Sequence, residues 1–164
     1  MRMPGVFEPE WTDESEDGTR RARIGRQVGA ELLGLSLYEL PPGARPVPYH
    51  YQHANEELMM VVSGRPSLRT PDGWRELEPG EVVSFPRGAN GAHQVENRGD
   101  EPVRYLMLSE MNAPEAIVYP DSAKVGVLSR PPGSPADEEA LTAWFRLDDQ
   151  VDYWEGEERG EAAK

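Results

Sequence analysis

Short β-type runs separated by proline and glycine turns constrain the fold of this chain more than any other feature. Leucines and Tyr38 alternate along residues 32–40, which end at a Pro-Pro-Gly turn. Further short runs of the same kind lie at 58–64, 66–70, 74–80, 81–86 and 93–109. Because helical periodicity is almost absent, the pattern predicts an all-β fold, either an antiparallel sandwich or a small barrel.

Length and apolar content predict one domain with extended tails, since 164 residues suffice for one core but hardly for two. We expect an N-terminal extension at 1–29, a barrel core at 30–112 and a C-terminal extension at 113–164. The fold should contain at most one or two short helices. Ser134 and Pro135 suit the start of one near 135–145. The last eight or so residues are acidic, and we expect them to be mobile.

Charge and composition exclude several classes of function. The net charge of −13, from 30 acidic against 17 basic residues, would repel nucleic acid and anionic membranes. The absence of cysteine removes disulfides, thiolate metal sites and cysteine nucleophiles. The first residues lack the apolar segment of a signal peptide, and no run of about 18 apolar residues occurs, so we expect a cytoplasmic protein.

Two of the three histidines lie in one short segment. On a strand, His50 and Gln52 would share one face, while His53 would lie on the other, because alternate residues of a strand point the same way. Glu57 follows after a turn centred near Asn55. A hairpin at this turn would bring Glu57 beside His50 and Gln52.

The third histidine, His93, begins another strand after a glycine-rich loop. Together with His50 and Glu57 it completes a set of two imidazoles and one carboxylate. Such a set binds hard or borderline divalent metals and leaves coordination positions open. Taken singly, each of these residues would be an ordinary strand or turn residue.

The two segments resemble the paired signature motifs of the cupin superfamily. The matching positions are Gly43, His50, Gln52, Glu57 and Gly64 in the first motif, and Gly80, Pro86, Gly88, His93 and Asn97 in the second. Two loops differ in length: six residues instead of five separate Gly43 from His50, and four instead of two separate Gly88 from His93. The resemblance covers about residues 32–110.

This resemblance implies a jelly-roll β-barrel that carries a metal in its mouth and pairs into a homodimer. The implied metal ligands are His50, Gln52, Glu57 and His93, and the implied cofactor is a divalent ion such as Zn, Mn, Fe or Ni. Gln52 stands where the cupin motif has histidine, and an amide oxygen is a weaker ligand than imidazole. Phosphomannose isomerases, which belong to the same superfamily, nevertheless hold zinc with a glutamine, two histidines and a glutamate.

Other residues have two interpretations each. His53 would replace Gln52 as ligand if a β-bulge shifted the register, and is otherwise a surface histidine or a dimer contact. Four side chains have the spacing either to contact a substrate or only to pack in the interior: Tyr38, Met59, Tyr105 and Met107. Arg69, Arg87 and Arg104 are candidates for an anionic substrate or for ordinary surface charge.

The resemblance indicates a cupin of unassigned activity that binds a divalent metal and a small organic molecule, for example a metal-dependent oxygenase. The alternatives are a metal-assisted isomerase or lyase, a non-catalytic module that binds a sugar or organic acid, and a storage or structural barrel. All three histidines lie in or beside the two motifs. No histidine is therefore left as a separate acid or base, which favours metal-centred chemistry or binding. Because the fold hosts many chemistries, it does not identify the reaction.

Overall fold

The alternating runs form strands in the computed structural model, which describes residues 4–132, 134 and 138–160. In chain order the described strands are β1 (Asp13–Glu14), β2 (Arg20–Ala22), β3 (Leu33–Leu40), β4 (Tyr51–Gln52), β5 (Glu57–Ser63), β6 (Ser67–Thr70), β7 (Gly73–Glu76), β8 (Val82–Phe85), β9 (Gln94–Glu96), β10 (Val103–Glu110), β11 (Glu115–Tyr119), β12 (Lys124–Leu128) and β13 (Thr142–Arg146). Within the same described residues, the helical elements are α1 (Ile24–Gln27) and three 3₁₀ turns, Ala89–Gly91, Pro120–Ser122 and Leu147–Asp149. The all-β prediction is thus confirmed.

The described strands form three antiparallel sheets. A six-stranded sheet has the order β1-β2-β3-β10-β5-β8, a four-stranded sheet the order β13-β12-β11-β4, and a three-stranded sheet the order β7-β6-β9. The first sheet pairs strands far apart in the chain, since β10 lies between β3 and β5. Most of the second sheet comes from the segment after residue 113, so the C-terminal extension is an integral part of the fold.

The six-stranded sheet is apolar on both faces. Tyr38 and Tyr105 lie opposite each other in the register and belong to the main core of the barrel. Their neighbours Leu37 and Leu106 point to the other side, because successive side chains of a strand alternate. A second, smaller apolar cluster therefore forms on the outer face of this sheet.

The N-terminal extension covers that outer face. Ala22 of β2 and Ile24 of α1 are buried there, and Trp11 packs against them. The same alternation turns Arg21 to the opposite face, where it pairs with Tyr38 across the sheet. One segment thus supplies apolar residues to the outer cluster and a guanidinium to the barrel interior.

The predicted helix near 135–145 is wrong over its C-terminal part, because Thr142–Arg146 is the strand β13 paired with β12. Residues 135–137 of that prediction lie outside the described part of the chain. Mobility was predicted for the last eight or so residues, and residues 161–164 of these lie outside the described part of the chain. Within the described ranges, no helix combines the length and apolar character needed to span a bilayer.

Candidate metal centre

His50 and His93 lie side by side at the edges of two different sheets. His50 precedes β4 and His93 precedes β9, and the two residues exchange backbone hydrogen bonds of 3.1 and 2.8 Å. This isolated bridge brings the ring centroids to 4.6 Å from each other. Both residues are buried, with exposed fractions of 8% for His50 and 3% for His93.

Backbone carbonyls orient both imidazoles in the same way. His50 Nδ1 lies 2.9 Å from the carbonyl oxygen of Pro48, and His93 Nδ1 lies 2.9 Å from that of Gly91. A carbonyl only accepts hydrogen bonds, so each Nδ1 carries the proton and each Nε2 keeps its lone pair. This arrangement is typical of metal-binding histidines, whose second nitrogen donates to a neighbouring carbonyl or carboxylate.

Gly91 is needed for the conformation of the loop before His93. A Cβ atom at Gly91 would lie 1.8 Å from the carbonyl oxygen of Pro86, well inside van der Waals contact. Only glycine permits the backbone to come this close. The glycine-rich loop recognised in the sequence therefore places the carbonyl that orients His93.

Glu57 brings the carboxylate to the two imidazoles. It is the first residue of β5, and its Oε2 lies 3.4 Å from His93 Nε2. One ligating atom from each of His50, Glu57 and His93 can be chosen so that all three lie within 4.8 Å of one another. Glu57 lies in the six-stranded sheet, while His50 and His93 immediately precede strands of the other two sheets, so the cluster exists only in the complete barrel.

Gln52 lies beside this cluster on the same face as His50, as predicted. It is 7% exposed and its side chain is hydrogen-bonded to Glu57. Its Oε1 is buried and has no hydrogen-bond partner among the described residues. An unpaired buried amide oxygen is costly, and a bound cation would satisfy it.

His53 is exposed, with its ring against that of Tyr51, so the bulge that would make it a ligand does not occur.

Burial shifts the pKa values of the cluster toward the neutral forms. Burial raises the pKa of Glu57 to about 7, against a smaller opposing effect of the hydrogen bond with Gln52. Burial and the neighbouring His50 lower the pKa of His93 to about 3, and burial also lowers the pKa of His50. The imidazoles are therefore neutral at pH 7 and able to donate lone pairs. The site holds a carboxyl group without a protonated basic partner, an environment that fits a divalent cation.

The cluster lies in the wall of a cavity of about 390 Å³. Tyr38, Tyr105 and Met107 line this cavity, and the first two rings stack with centroids 5.1 Å apart. Met59 is fully buried in the core and is not among the residues that line it. Of the four predicted substrate contacts, the described structure therefore brings three to the cavity and leaves Met59 to packing.

The three arginines considered in the sequence do not line this cavity in the described structure. Arg69 pairs with Asp121, Arg87 with Glu110 and Arg104 with Glu39. The guanidinium that does line it belongs to Arg21, which sequence reasoning missed. The sequence signal that could have identified Arg21 was its alternation with the apolar residue Ala22 on a short strand.

The C-terminal extension forms one wall of the cavity, and this wall was not predicted from the sequence. β11 pairs with β4, with Ile117 opposite Gln52, and this pairing brings Tyr119 to 6.0 Å from His50 between ring centroids. Ile117, Tyr119 and Trp144 all line the cavity. The expected hairpin that would join the segments of Gln52 and Glu57 is therefore wrong, because β4 pairs with β11 while β5 pairs with β8 and β10.

Glu115 fixes the loop between the ligand-bearing strands. This residue is 1% exposed, and its carboxylate accepts hydrogen bonds of 3.0 Å from the backbone nitrogens of His53 and Ala54 and a further one from Asn55. The loop that connects Gln52 to Glu57 is thus held by a residue of β11.

Comparisons with known proteins agree with this fold. Residues 36–109 match the family described as cupin domain. A sugar phosphate isomerase of the cupin superfamily from Silicibacter pomeroyi has a similar structure, with a TM-score of 0.71, 28% identity, and coverage of 81% of this chain and 79% of that one. A proposed sugar phosphate isomerase from Acidithiobacillus ferrooxidans gives a TM-score of 0.70 at 25% identity, covering 83% and 81%.

More distant similarity supports the fold alone. The polyketide cyclase RemF from Streptomyces resistomycificus has a TM-score of 0.55 at 23% identity over 67% of this chain and 79% of that one. A comparison with curated protein sequences gives no match. The expected jelly-roll architecture is confirmed by these structural neighbours.

Proposed function

Since residues 36–109 match the cupin domain family and the fold is similar to that of a cupin isomerase, we propose that the chain is a cupin and a metal-dependent isomerase of a small sugar phosphate. The observation that carries this proposal is the convergence of ligating atoms of His50, Glu57 and His93 within 4.8 Å, in the wall of a cavity large enough for a small ligand. The similarity to two structures named as sugar phosphate isomerases favours the isomerase over the oxygenase considered from sequence.

We assign the metal to the neutral Nε2 atoms of His50 and His93, the carboxylate of Glu57 and the amide oxygen of Gln52. A divalent cation held there supplies Lewis acidity, which polarises a carbonyl and increases the acidity of the neighbouring C–H bond. Deprotonated Glu57 would neutralise part of the charge of the ion. Two imidazoles and an amide add none, so the site would keep a net positive charge for an electron-rich substrate oxygen.

The remaining lining orients the substrate and limits water. Met107, Ile117 and Trp144 provide apolar surface, while Tyr38 and Tyr119 bring aromatic rings with hydroxyl groups suited to a sugar. Burial, together with the neighbouring Tyr38 and Glu57, raises the pKa of Tyr105 well above its usual value. Its hydroxyl therefore stays protonated at neutral pH and is able to donate a hydrogen bond to a substrate oxygen.

The proposal is tested by metal analysis and proton exchange. We expect about one divalent ion per chain after metal loading, and metal-dependent incorporation of deuterium next to the carbonyl of an aldose or ketose phosphate in D₂O, followed by NMR. His93→Ala should abolish both results. His53→Ala is the matched control, because His53 is exposed and outside the cluster.

A metal-loaded protein that exchanges no proton with any member of an aldose and ketose phosphate panel would refute the isomerase. Consumption of oxygen with a diketone or flavonoid substrate would instead support the oxygenase. Assembly into a homodimer and a cytoplasmic location stay predictions from sequence.

A further inference from the structure

A second cavity, of about 250 Å³, adjoins the candidate metal centre and is lined by three arginines, Arg21, Arg23 and Arg26. All three come from the segment of β2 and α1, outside the part of the chain that matches the cupin domain. We propose that this cavity binds the phosphate group of a phosphate monoester whose other end lies at the His50, Glu57 and His93 cluster. This inference deepens the proposed function and rests on it for the identity of the second end.

The two cavities share walls, so one ligand can occupy both. Tyr38, Glu57 and Met107 line each of them, and so do Arg21 and Pro132. Glu57 belongs to the candidate metal site, whereas Arg21 belongs to the arginine set. Single residues therefore line both cavities at once. This arrangement suits a small extended molecule that has a carbonyl at the metal cluster and an anion at the arginines.

Local contacts orient the arginines in a fixed arrangement. Asp13 Oδ2 accepts hydrogen bonds from the Nε atoms of Arg21, at 3.1 Å, and Arg23, at 3.0 Å. Arg21 Nη1 also lies 3.3 Å from the hydroxyl oxygen of Tyr38. One carboxylate oxygen thus holds two guanidinium groups side by side, which lowers the entropy that would be lost when they bind an anion together.

Basic side chains are concentrated at this cavity in an otherwise acidic protein. Arg21, Arg23 and Arg26 line it together with the acidic residues Glu31 and Glu57, while the chain as a whole has a net charge of −13. Arg21 and Arg23 are also sheltered, with side chains 29% and 23% exposed. Guanidinium groups concentrated in a concave, partly buried site of an acidic protein are better explained by an anionic ligand than by solubility.

Phosphate matches this arrangement better than a carboxylate does. A phosphate monoester offers three terminal oxygens and a charge near −2, and guanidinium groups bind such oxygens in a planar, bidentate manner. A carboxylate has two oxygens and one negative charge, which a single arginine would satisfy. Three arginines around one small space therefore favour the phosphate.

The direct test is calorimetric titration of inorganic phosphate into the full chain, as purified and again after removal of metal with a chelator. We expect binding in both states, weakened about tenfold by Arg21→Gln and about threefold by the more exposed Arg26→Gln. Arg65→Gln is the matched control: it removes the same charge from a side chain that is 59% exposed and lines neither cavity, and it should change the affinity less than about twofold.

Arg21 also contacts Asp13 and Tyr38, so folding of Arg21→Gln is checked by circular dichroism. Arg26 is exposed, and Arg26→Gln gives an answer if Arg21→Gln does not fold. Equal phosphate affinity in the Arg26→Gln and Arg65→Gln variants would overturn the proposal. Binding that disappears when metal is removed would overturn it as well, since phosphate would then lie on the ion.

A parallel titration with acetate separates the two anion classes, and acetate affinity equal to that of phosphate would refute the phosphate assignment. Metal titration of the same variants keeps the two proposals distinct. Arginine-dependent phosphate binding in a protein that fails to bind Mn(II) or Zn(II) would support this cavity and refute the metal centre.

Discussion

Gln52 is the residue that most distinguishes this candidate site from one built of three histidines. Its side chain is hydrogen-bonded to Glu57 and its Oε1 has no partner among the described residues. A neutral amide oxygen is a weaker ligand for borderline metals than an imidazole nitrogen. The hydrogen bond does, however, favour the ionised form of Glu57, the form that binds a cation. Gln52 would thus be a weak metal ligand itself and would also favour metal binding by keeping Glu57 ionised.

The substitution Gln52→His should tighten binding of Zn(II) or Mn(II) by about tenfold, or about 1.4 kcal/mol. The gain from an imidazole ligand should exceed the loss of the hydrogen bond to Glu57. Competition titration against a chromogenic chelator measures the change. His53→Gln serves as control, because its exposed side chain should leave the affinity unaltered. Identical affinities in wild type and Gln52→His would mean that position 52 does not face the ion.

At the scale of single elements, β11 connects the C-terminal extension to the metal-bearing segment. It pairs with β4 through two register positions and carries Glu115, which holds the backbone of His53 and Ala54. Hydrogen bonds from backbone donors to a buried carboxylate are among the stronger ones in proteins. The placement of β4 therefore depends on a strand more than sixty positions later in the chain.

Glu115→Gln should lower the free energy of unfolding by about 1–3 kcal/mol, because an amide cannot accept as many hydrogen bonds from His53, Ala54 and Asn55. Chemical denaturation followed by fluorescence measures this loss. Metal affinity should fall in the same variant, since the loop between Gln52 and Glu57 would no longer be fixed. Glu56→Gln is the control, because Glu56 is a neighbouring acid with an exposed side chain. An unchanged metal affinity in Glu115→Gln would show that the loop is positioned by other contacts.

Local sequence patterns predicted the elements better than their partners. The period of two residues is a local property, so it located most of the strands and placed His50 and Gln52 on one face. Which strands pair is a long-range property. The hairpin expected at Asn55 is wrong because β11 is the partner of β4.

The predicted helix near 135–145 failed for a related reason. Ser134, Pro135 and the following acids are suitable for a helix start, but residues 142–146 include Thr142, Trp144 and Phe145, which favour strands. The free edge of β12 pairs with them, and tertiary pairing overrides the local signal. The arginine-lined cavity was equally hidden, because it depends on the packing of the N-terminal extension against the barrel.

At the scale of the whole molecule, the candidate metal centre joins all three sheets. Glu57 belongs to the six-stranded sheet, His50 precedes β4 of the four-stranded sheet, and His93 precedes β9 of the three-stranded sheet. A bound ion would therefore add a coordination link between these segments, beside the backbone hydrogen bonds between His50 and His93.

A saturating divalent metal should raise the thermal midpoint of unfolding. At one hundred times the dissociation constant the expected stabilisation is about 2.7 kcal/mol, which corresponds to a rise of about 5–10 °C for a chain of this size. Differential scanning calorimetry with and without Zn(II) or Mn(II) measures it. His93→Ala should show no such rise, and an equal rise in wild type and His93→Ala would place the ion elsewhere.

The origin of the three ligands in distant segments of the chain has a kinetic consequence. Contacts between distant segments form late in folding, because the entropy of closing long loops must be overcome first. The ligand cluster is incomplete until the barrel has closed, so the ion would be captured after the rate-limiting step. Metal should then leave the refolding rate nearly unaltered and slow the rate of unfolding. The ion would thus increase the kinetic stability of the folded protein without acting as a folding nucleus.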